Sequence, residues 1–267
     1  MPKLFHHLAK SRTVKRDILV ASGKMRLHSI VRLFGYSIIS LLPSALLAAK
    51  TDSIEAPGGG VITYTNAAEV TTIPADGSVL LKFTNSTDAA SFSFSGLTSA
   101  RILAVGGGGG GGGIYRNGGQ SPYGGGAGGG AGGFIEVTNL YGAATYTVSV
   151  GAGGAAGANG TNATADLAGE DGEPTSITTN GVSMLKAYGG GGGGGQSPGH
   201  AGERGKVGSG GGGSQKRDPE NTSQGLPQDP GFGTEGQGHD GGAGDKAVIG
   251  AGGGGAGAKG QSSTEGG

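Results

Sequence analysis

The stretch RILAVGGGGGGGG, residues 101–113, decides the fold of this chain. A short run of apolar and β-branched residues ends at Val105, and eight glycines follow it without a break. Of the 66 glycines in the 267-residue chain, 59 lie at or beyond Gly106, whereas glycine makes up about 7% of an average protein. The chain therefore joins an ordinary stretch and a glycine-dominated stretch at Val105.

Short strands are predicted on both sides of this boundary. Residues 91–95 read SFSFS, which puts both phenylalanines on one face and the serines on the other, as a half-buried strand requires. The other candidates are also short runs of β-branched, aromatic or aliphatic residues; they are 61–65, 79–84, 90–95, 101–105, 133–137, 145–150 and 185–188. The sequence thus predicts an all-β fold, reached through a polar, turn-rich approach at 51–60.

The glycine runs have two physical options. A lone run is flexible coil, because glycine loses much backbone entropy on ordering and has no side chain to bury. Several runs can instead form left-handed extended helices of about three residues per turn, the polyglycine II form, packed side by side and hydrogen-bonded to one another. The runs of suitable length are 106–113, 124–133, 151–160, 189–195, 205–213, 231–244 and 250–260.

The amino-terminal residues have the pattern of a secretory signal helix. An apolar run, 33–49, follows basic residues and ends in small ones, so we expect cleavage after Ala48 or Ala49, with Met25 as an alternative start of translation. An uncleaved membrane anchor is the other reading, because 17 residues reach the lower limit of about 17–25 for a span. The predicted organisation is a signal peptide at 1–49, a polar approach at 50–72 and a glycine-rich β domain at 73–267.

Charge and composition narrow the possible functions. The 19 basic and 19 acidic residues balance, but eight basic residues lie in the first 32 positions, so the remainder is acidic and offers no basic surface for nucleic acid. The absence of cysteine excludes disulfides, thiolate metal sites and a cysteine nucleophile. No constellation of nucleophile, base and orienting group can be assembled from the sequence, so we expect neither an enzyme nor a cofactor.

One acidic cluster is a weak candidate for a metal site. Asp166, Glu170, Asp171 and Glu173 lie within eight residues, and carboxylate oxygens at this density are typical calcium ligands. The alternation of an EF-hand loop is absent, which favours a solvated acidic turn over a calcium site.

The order of these features resembles the glycine-rich domain of bacterial surface proteins and phage tail fibres. The matching features are a strand into polyglycine at 99–113, an alanine-punctuated glycine run at 124–134, and a strand into Val-Gly-Ala-Gly-Gly at 146–154. The extracellular glycine-rich region of anaplastic lymphoma kinase-type receptors is similar. The resemblance implies a small jelly-roll-like β-sandwich whose connections are packed polyglycine II helices, without catalytic residues. It also implies a last hydrophobic strand, which we expect to be missing after residue 260.

These observations predict an exported structural or adhesion module, secreted or held at the cell surface, that binds an extracellular protein or glycan. Recognition is expected in the polar loops 120–123, 196–204 and 215–231, because exposed loops commonly carry binding. The candidate binding residues are Gln120, Tyr123, Gln196, His200 and Arg204. The alternative is a flexible matrix or wall filler without a specific ligand. Membrane contact is expected only through the amino-terminal segment, if it is uncleaved.

Overall fold

The structure is a computed structural model that describes residues 51–56, 60–114, 125–159, 167–195, 207–217, 225–245 and 250–263. These residues belong to one compact unit, Ala49–Gly267, and the predicted signal peptide lies outside them. None of the described ranges contains a helix, and hence none contains one of membrane-spanning length and apolarity. The strands are β1 (Thr51–Glu55), β2 (Val61–Thr65), β3 (Glu69–Thr72), β4 (Val79–Lys82), β5 (Ala90–Phe94), β6 (Thr98–Val105), β7 (Phe134–Tyr141), β8 (Thr145–Ser149), β9 (Thr175–Thr179), β10 (Val182–Ala187), β11 (Gln215–Arg217) and β12 (Gly225–Pro227).

The prediction of an all-β fold is confirmed for the described residues, and every pair of named strands is antiparallel. The expected turn-rich approach at 51–60 is wrong for its first half. Residues 51–55 form β1, because pairing with β2 in the register Ile54↔Ile62 orders this polar segment. The predicted boundary at residue 72 stays a prediction, although β2 and β5 pair across it.

The largest sheet has six strands in the order β1-β2-β5-β8-β9-β10. Its centre is β5, the strand predicted from the SFSFS alternation, in which Ala90, Phe92 and Phe94 are buried. Across the sheet Phe92 pairs with Tyr64 of β2 and with Tyr146 of β8. The alternation of the sequence therefore becomes one apolar face of the sheet.

A second layer covers this apolar face. It includes the antiparallel pair β6–β7, whose Ala100, Ile102 and Tyr141 pack on the core, and β4, which adds Val79 and Leu81. Aromatic rings pack within and between the layers: Phe92 stacks on Tyr146 of the same sheet at 5.1 Å between ring centroids, and Tyr141 of β7 meets Tyr146 edge-on across the layers at 5.5 Å. Such pairs contribute about 0.5–1.5 kcal/mol each beyond their area burial, which matters in a chain with few large side chains.

The glycine-rich residues continue directly from the strands. Strands β6, β8 and β10 end at Val105, Ser149 and Ala187, where glycine-rich residues begin, and strands β7 and β9 start where such residues end. The two-layered sheet structure thus fixes the points at which the glycine-rich segments leave and return.

Candidate functional site

The glycine-rich residues form extended segments that hydrogen-bond to one another and contain no regular strand. We number them in chain order and call them together the lattice. They are segments 1 (106–114), 2 (125–133), 3 (151–159), 4 (167–174), 5 (188–195), 6 (207–214), 7 (228–233), 8 (237–245), 9 (250–255) and 10 (258–263).

Hydrogen bonds between segments repeat every three residues. Three backbone N–H groups of segment 1 donate to carbonyl oxygens of segment 2, each with an N···O distance of 2.9 Å. They join Gly106 to Gly133, Gly109 to Gly130 and Gly112 to Ala127. The N–H group of the residue after each of these donors bonds to a carbonyl oxygen of segment 4. These bonds join Gly107 to Glu173, Gly110 to Glu170 and Gly113 to Leu167. A period of three turns successive residues toward different neighbours, so one segment can bond in several directions at once.

The carbonyl groups of segment 1 complete this arrangement. Gly107 O and Gly110 O accept from segment 5, and Gly108 O and Gly111 O accept from segment 3. Segment 5 in turn donates to segment 6 from Gly191. Buried backbone N–H and C=O groups need hydrogen-bond partners, and in the lattice neighbouring segments provide these partners in place of water.

Lack of space explains most of the glycines. A Cβ atom added to Gly107 would overlap the carbonyl oxygen of Ala152, and one added to Gly109 would overlap that of Gly191. At Gly108 the added atom would lie 3.8 Å from Gly130 O, an ordinary contact. Among the described glycines a positive φ occurs only at Gly77, Gly181 and Gly236, all outside the numbered segments. Glycine is required in the lattice by the close approach of neighbouring backbones.

Fewer positions require glycine at the boundary of the lattice than in its interior. In segment 3 every third residue, at 151, 154 and 157, has no room for a Cβ, and alanine or asparagine fills most of the other positions. Segment 4 keeps glycine at 169 and 172 and exposes Glu170 and Glu173. Segments 5 and 6 are buried from Gly189 to Gly195 and from Val207 to Ser214. Polyglycine therefore marks the interior, and glycine at every third position marks the edge.

Side chains replace backbone acceptors at selected points. Asp171 Oδ1 accepts from Gly192 N at 2.7 Å, and Asn159 Oδ1 accepts from Ile114 N at 2.9 Å. The buried hydroxyl of Thr175 accepts from Gly151 N and donates to Val105 O, so it bridges the start of segment 3 and the end of β6. These side chains complete the lattice where a neighbouring backbone does not reach.

Gln237 joins the lattice to two strands. Its Oε1 accepts from Tyr188 N at 2.8 Å, its Nε2 donates to Lys186 O at 3.1 Å, and its backbone carbonyl accepts from Phe134 N at 3.0 Å. Sequence reasoning missed Gln237 and Thr175 as structural residues. Nothing in their local sequence marks them, because their partners lie 49 and 70 residues away.

The candidate binding residues Gln120, Tyr123, Gln196, His200 and Arg204 lie outside the described residues, so their positions stay predictions. Described residues lie on both sides of the predicted loop 120–123 and just before the loop 196–204, and the described part of 215–231 contains the antiparallel pair β11–β12. Because segments 1 and 2 are antiparallel, Ile114 and Gly125 lie at the same end of the lattice, away from the strands. Segments 3 and 5 run parallel to segment 1 and end at Asn159 and Gly195 on this side too. We call this side the far end.

The acidic cluster takes a structural part in the lattice. Asp166 lies outside the described residues, while Glu170, Asp171 and Glu173 belong to segment 4. The backbone groups of Glu170 and Glu173 bond to segments 1 and 3, and the Asp171 carboxylate accepts from segment 5. Among the described residues no three acidic or histidine side chains form a metal-binding group.

Comparison with protein families gives one match: the model of a family described as "Glycine-rich domain" covers residues 85–267. The chain belongs to the glycine-rich domain family. The matched range begins just before β5 and takes in all ten segments of the lattice. Comparisons with curated proteins and with solved structures gave no significant match.

Proposed function

We propose that this chain is an exported structural or adhesion module, in which strands and lattice form a scaffold that presents loops for binding outside the cell. The observation that carries the proposal is the period-three hydrogen bonding, which brings the ends of segments 1, 3 and 5 to one side. A rigid scaffold with loops gathered at one end suits recognition, because the scaffold loses no conformational entropy when the loops bind a partner.

The segments of this scaffold are proposed to be polyglycine II helices, and the strands a small jelly-roll-like sandwich. Support for the helices comes from the repeat of three and from lattice glycines without positive φ. With a rise of about 3.1 Å per residue, a segment of eight residues carries its loop roughly 25 Å from the strands. The length of the segments then sets how far the loops stand away from the sheets.

Export and the kind of partner rest on the sequence. The apolar run at 33–49 favours secretion or display at the cell surface, and the resemblance to surface and tail-fibre proteins favours binding of an extracellular protein or glycan. We propose no catalytic role and no cofactor. His239, the histidine within the described residues, is part of the lattice through its backbone, since its carbonyl accepts from Gly210 N.

Binding to intact cells and to a glycan array tests this function. We expect saturable binding of the wild-type chain, lost when residues 196–204 are replaced by a Gly-Ser linker of equal length. Replacement of the exposed turn 85–88 on the strand part of the molecule serves as the control and should leave binding unchanged. Equal binding by all three proteins, or none by the wild type, would contradict the proposal and favour a filler without a specific ligand.

A further inference from the structure

Within the described part of the chain, one edge of strand β7 has no partner strand. Within the described residues its pairing partner is β6, and the two form a sheet of their own. Gly106 N donates to Gly133 O, which fixes the phase of the ladder, so Phe134, Glu136, Thr138 and Leu140 direct their N–H and C=O groups away from β6. Gln237 O occupies this edge at Phe134. From Glu136 onward the edge is not paired with another described strand.

The edge of β7 also lacks the usual protection. Edge strands are commonly blunted by lysine, proline or a bulge, and FIEVTNLY contains none of these. Its one charged residue, Glu136, forms an ion pair with Arg101 of β6, with 2.7 Å between Glu136 Oε1 and Arg101 Nε. Residues 136–140 are all exposed, and Leu140 keeps 61% of its accessible surface.

The outer strands of the large sheet are better protected than β7. Strand β1 carries Asp52 and Glu55, and β10 has an irregular register between Ser183 and Leu185 as well as Lys186. The outer edge of β6 is met at its last residue, Val105, whose carbonyl accepts from the Thr175 hydroxyl. Strand addition is therefore favoured at β7.

We propose that β7 pairs with β7 of a second copy of this chain, antiparallel, about a two-fold axis at Thr138. The space available decides this register. Gln237 closes the edge at Phe134 and the strand ends at Tyr141, so the free stretch 135–141 is centred on Thr138. An antiparallel strand centred elsewhere would leave part of this stretch unpaired or collide with Gln237.

The side chains fit this two-fold arrangement. Thr138 would face Thr138 of the second copy, a favourable cross-strand pair, and Glu136 would face Leu140, so no like charges meet. The N–H of Leu140 now donates to the exposed Asn139 Oδ1, a local contact that the incoming carbonyl of Glu136 would replace. The two β6–β7 pairs would become one four-stranded sheet, which is strand addition between identical partners.

This inference does not rest on the proposed binding function, since self-association uses the strands and not the far end. Its first test is sedimentation equilibrium of the full chain and of Thr138→Pro. The Thr138 N–H points away from β6, so proline there leaves the β6–β7 ladder intact but removes the central donor. We expect a wild-type dimer and a dissociation constant raised at least about tenfold in Thr138→Pro.

Thr138→Ser is the matched control, because it keeps the N–H group and should dimerise like the wild type. Equal unfolding midpoints would show that Thr138→Pro is folded; if it is not, Thr138→Lys, which places like charges across the axis, takes its place. A wild-type chain that stays monomeric at high concentration, or a proline or lysine variant that dimerises like the wild type, would overturn the proposal.

The absence of cysteine permits a second, direct test. A single Thr138→Cys should give a covalent dimer with a short bismaleimide, because the two positions face each other across the axis. Ser183→Cys, exposed on β10, is the control and should cross-link far less. Equal cross-linking at both positions would show another mode of association and would refute pairing through β7.

Discussion

Asp171 Oδ1 accepts a hydrogen bond from the backbone N–H of Gly192 at 2.7 Å, which ties an edge segment of the lattice to its buried interior. Removing this acceptor leaves a buried donor without a partner. We expect Asp171→Ala to lower the free energy of unfolding by about 1–3 kcal/mol in urea denaturation. Glu170→Ala, at the exposed neighbouring position, should change it by less than about 0.5 kcal/mol.

The same two variants separate the structural role from a calcium site. If segment 4 has only a structural role, added calcium or a chelator leaves the unfolding midpoint of the wild type unchanged. A calcium-dependent rise that both Asp171→Ala and Glu170→Ala abolish would instead support the calcium site.

Adjacent glycines of segment 1 should differ sharply in their tolerance of alanine. At Gly109 a Cβ atom would overlap the carbonyl oxygen of Gly191, so Gly109→Ala should cost about 1–3 kcal/mol or prevent folding. At Gly108 there is room, and Gly108→Ala should be neutral or stabilise by up to about 1 kcal/mol, because alanine restricts the unfolded chain. Similar unfolding free energies for the two variants would contradict the lattice geometry.

Segment 3 should accept insertions of three residues and reject insertions of one. Duplicating Ala152-Gly153-Gly154 keeps glycine at every third position, so we expect near-wild-type stability. A single alanine inserted after Ala152 moves alanine into the position of Gly157, where a Cβ would overlap Leu167 O, and should cost about 1–3 kcal/mol. Thermal unfolding of both variants measures the difference, and equal melting temperatures would argue against a period of three.

The core should make stability fall at high pH. Burial raises the pKa of Tyr141 above its ordinary value of 10.0, and the nearby Tyr146 raises it further. The fold favours the neutral phenol, so this contribution is complete below pH 10.0 and is lost as the pH rises through the raised pKa. Tyr141→Phe cannot ionise, and its unfolding free energy should decline less between about pH 8 and about pH 11. A decline equal to that of the wild type would show that Tyr141 does not carry the effect.

Local patterns predicted several of the strands in which side chains alternate, although Thr175–Thr179, with Thr175 and Ile177 buried, was missed. SFSFS became β5, and Val61–Thr65 was predicted with its observed bounds, because burial on one face leaves a period of two in the sequence. Thr51–Glu55 was missed, since a polar edge strand carries no such period and is ordered by its partner. Alternation reports burial, so strands without a buried face escape it.

The lattice could be predicted in kind but not in connectivity. Glycine at every third position of segments 3 and 4 is readable in the sequence, yet which segment lies beside which follows from the strands that anchor them. The bridging role of Thr175 shows the limit: its partner Val105 is 70 residues away, and no local pattern joins them. For the candidate site, the sequence indicated which residues form glycine-rich segments and which form polar loops. The structure added the directions in which the segments run.

Amide hydrogen exchange of the full chain tests the central claim, that the glycine-rich residues form a hydrogen-bonded lattice. The N–H groups of Gly109, Gly112 and Gly193 donate to other segments at 2.8–2.9 Å and should be protected to a degree comparable with those of β5. Exchange of these amides at the rate of an unstructured chain, while β5 stays protected, would contradict the lattice and leave the glycine-rich residues as flexible filler.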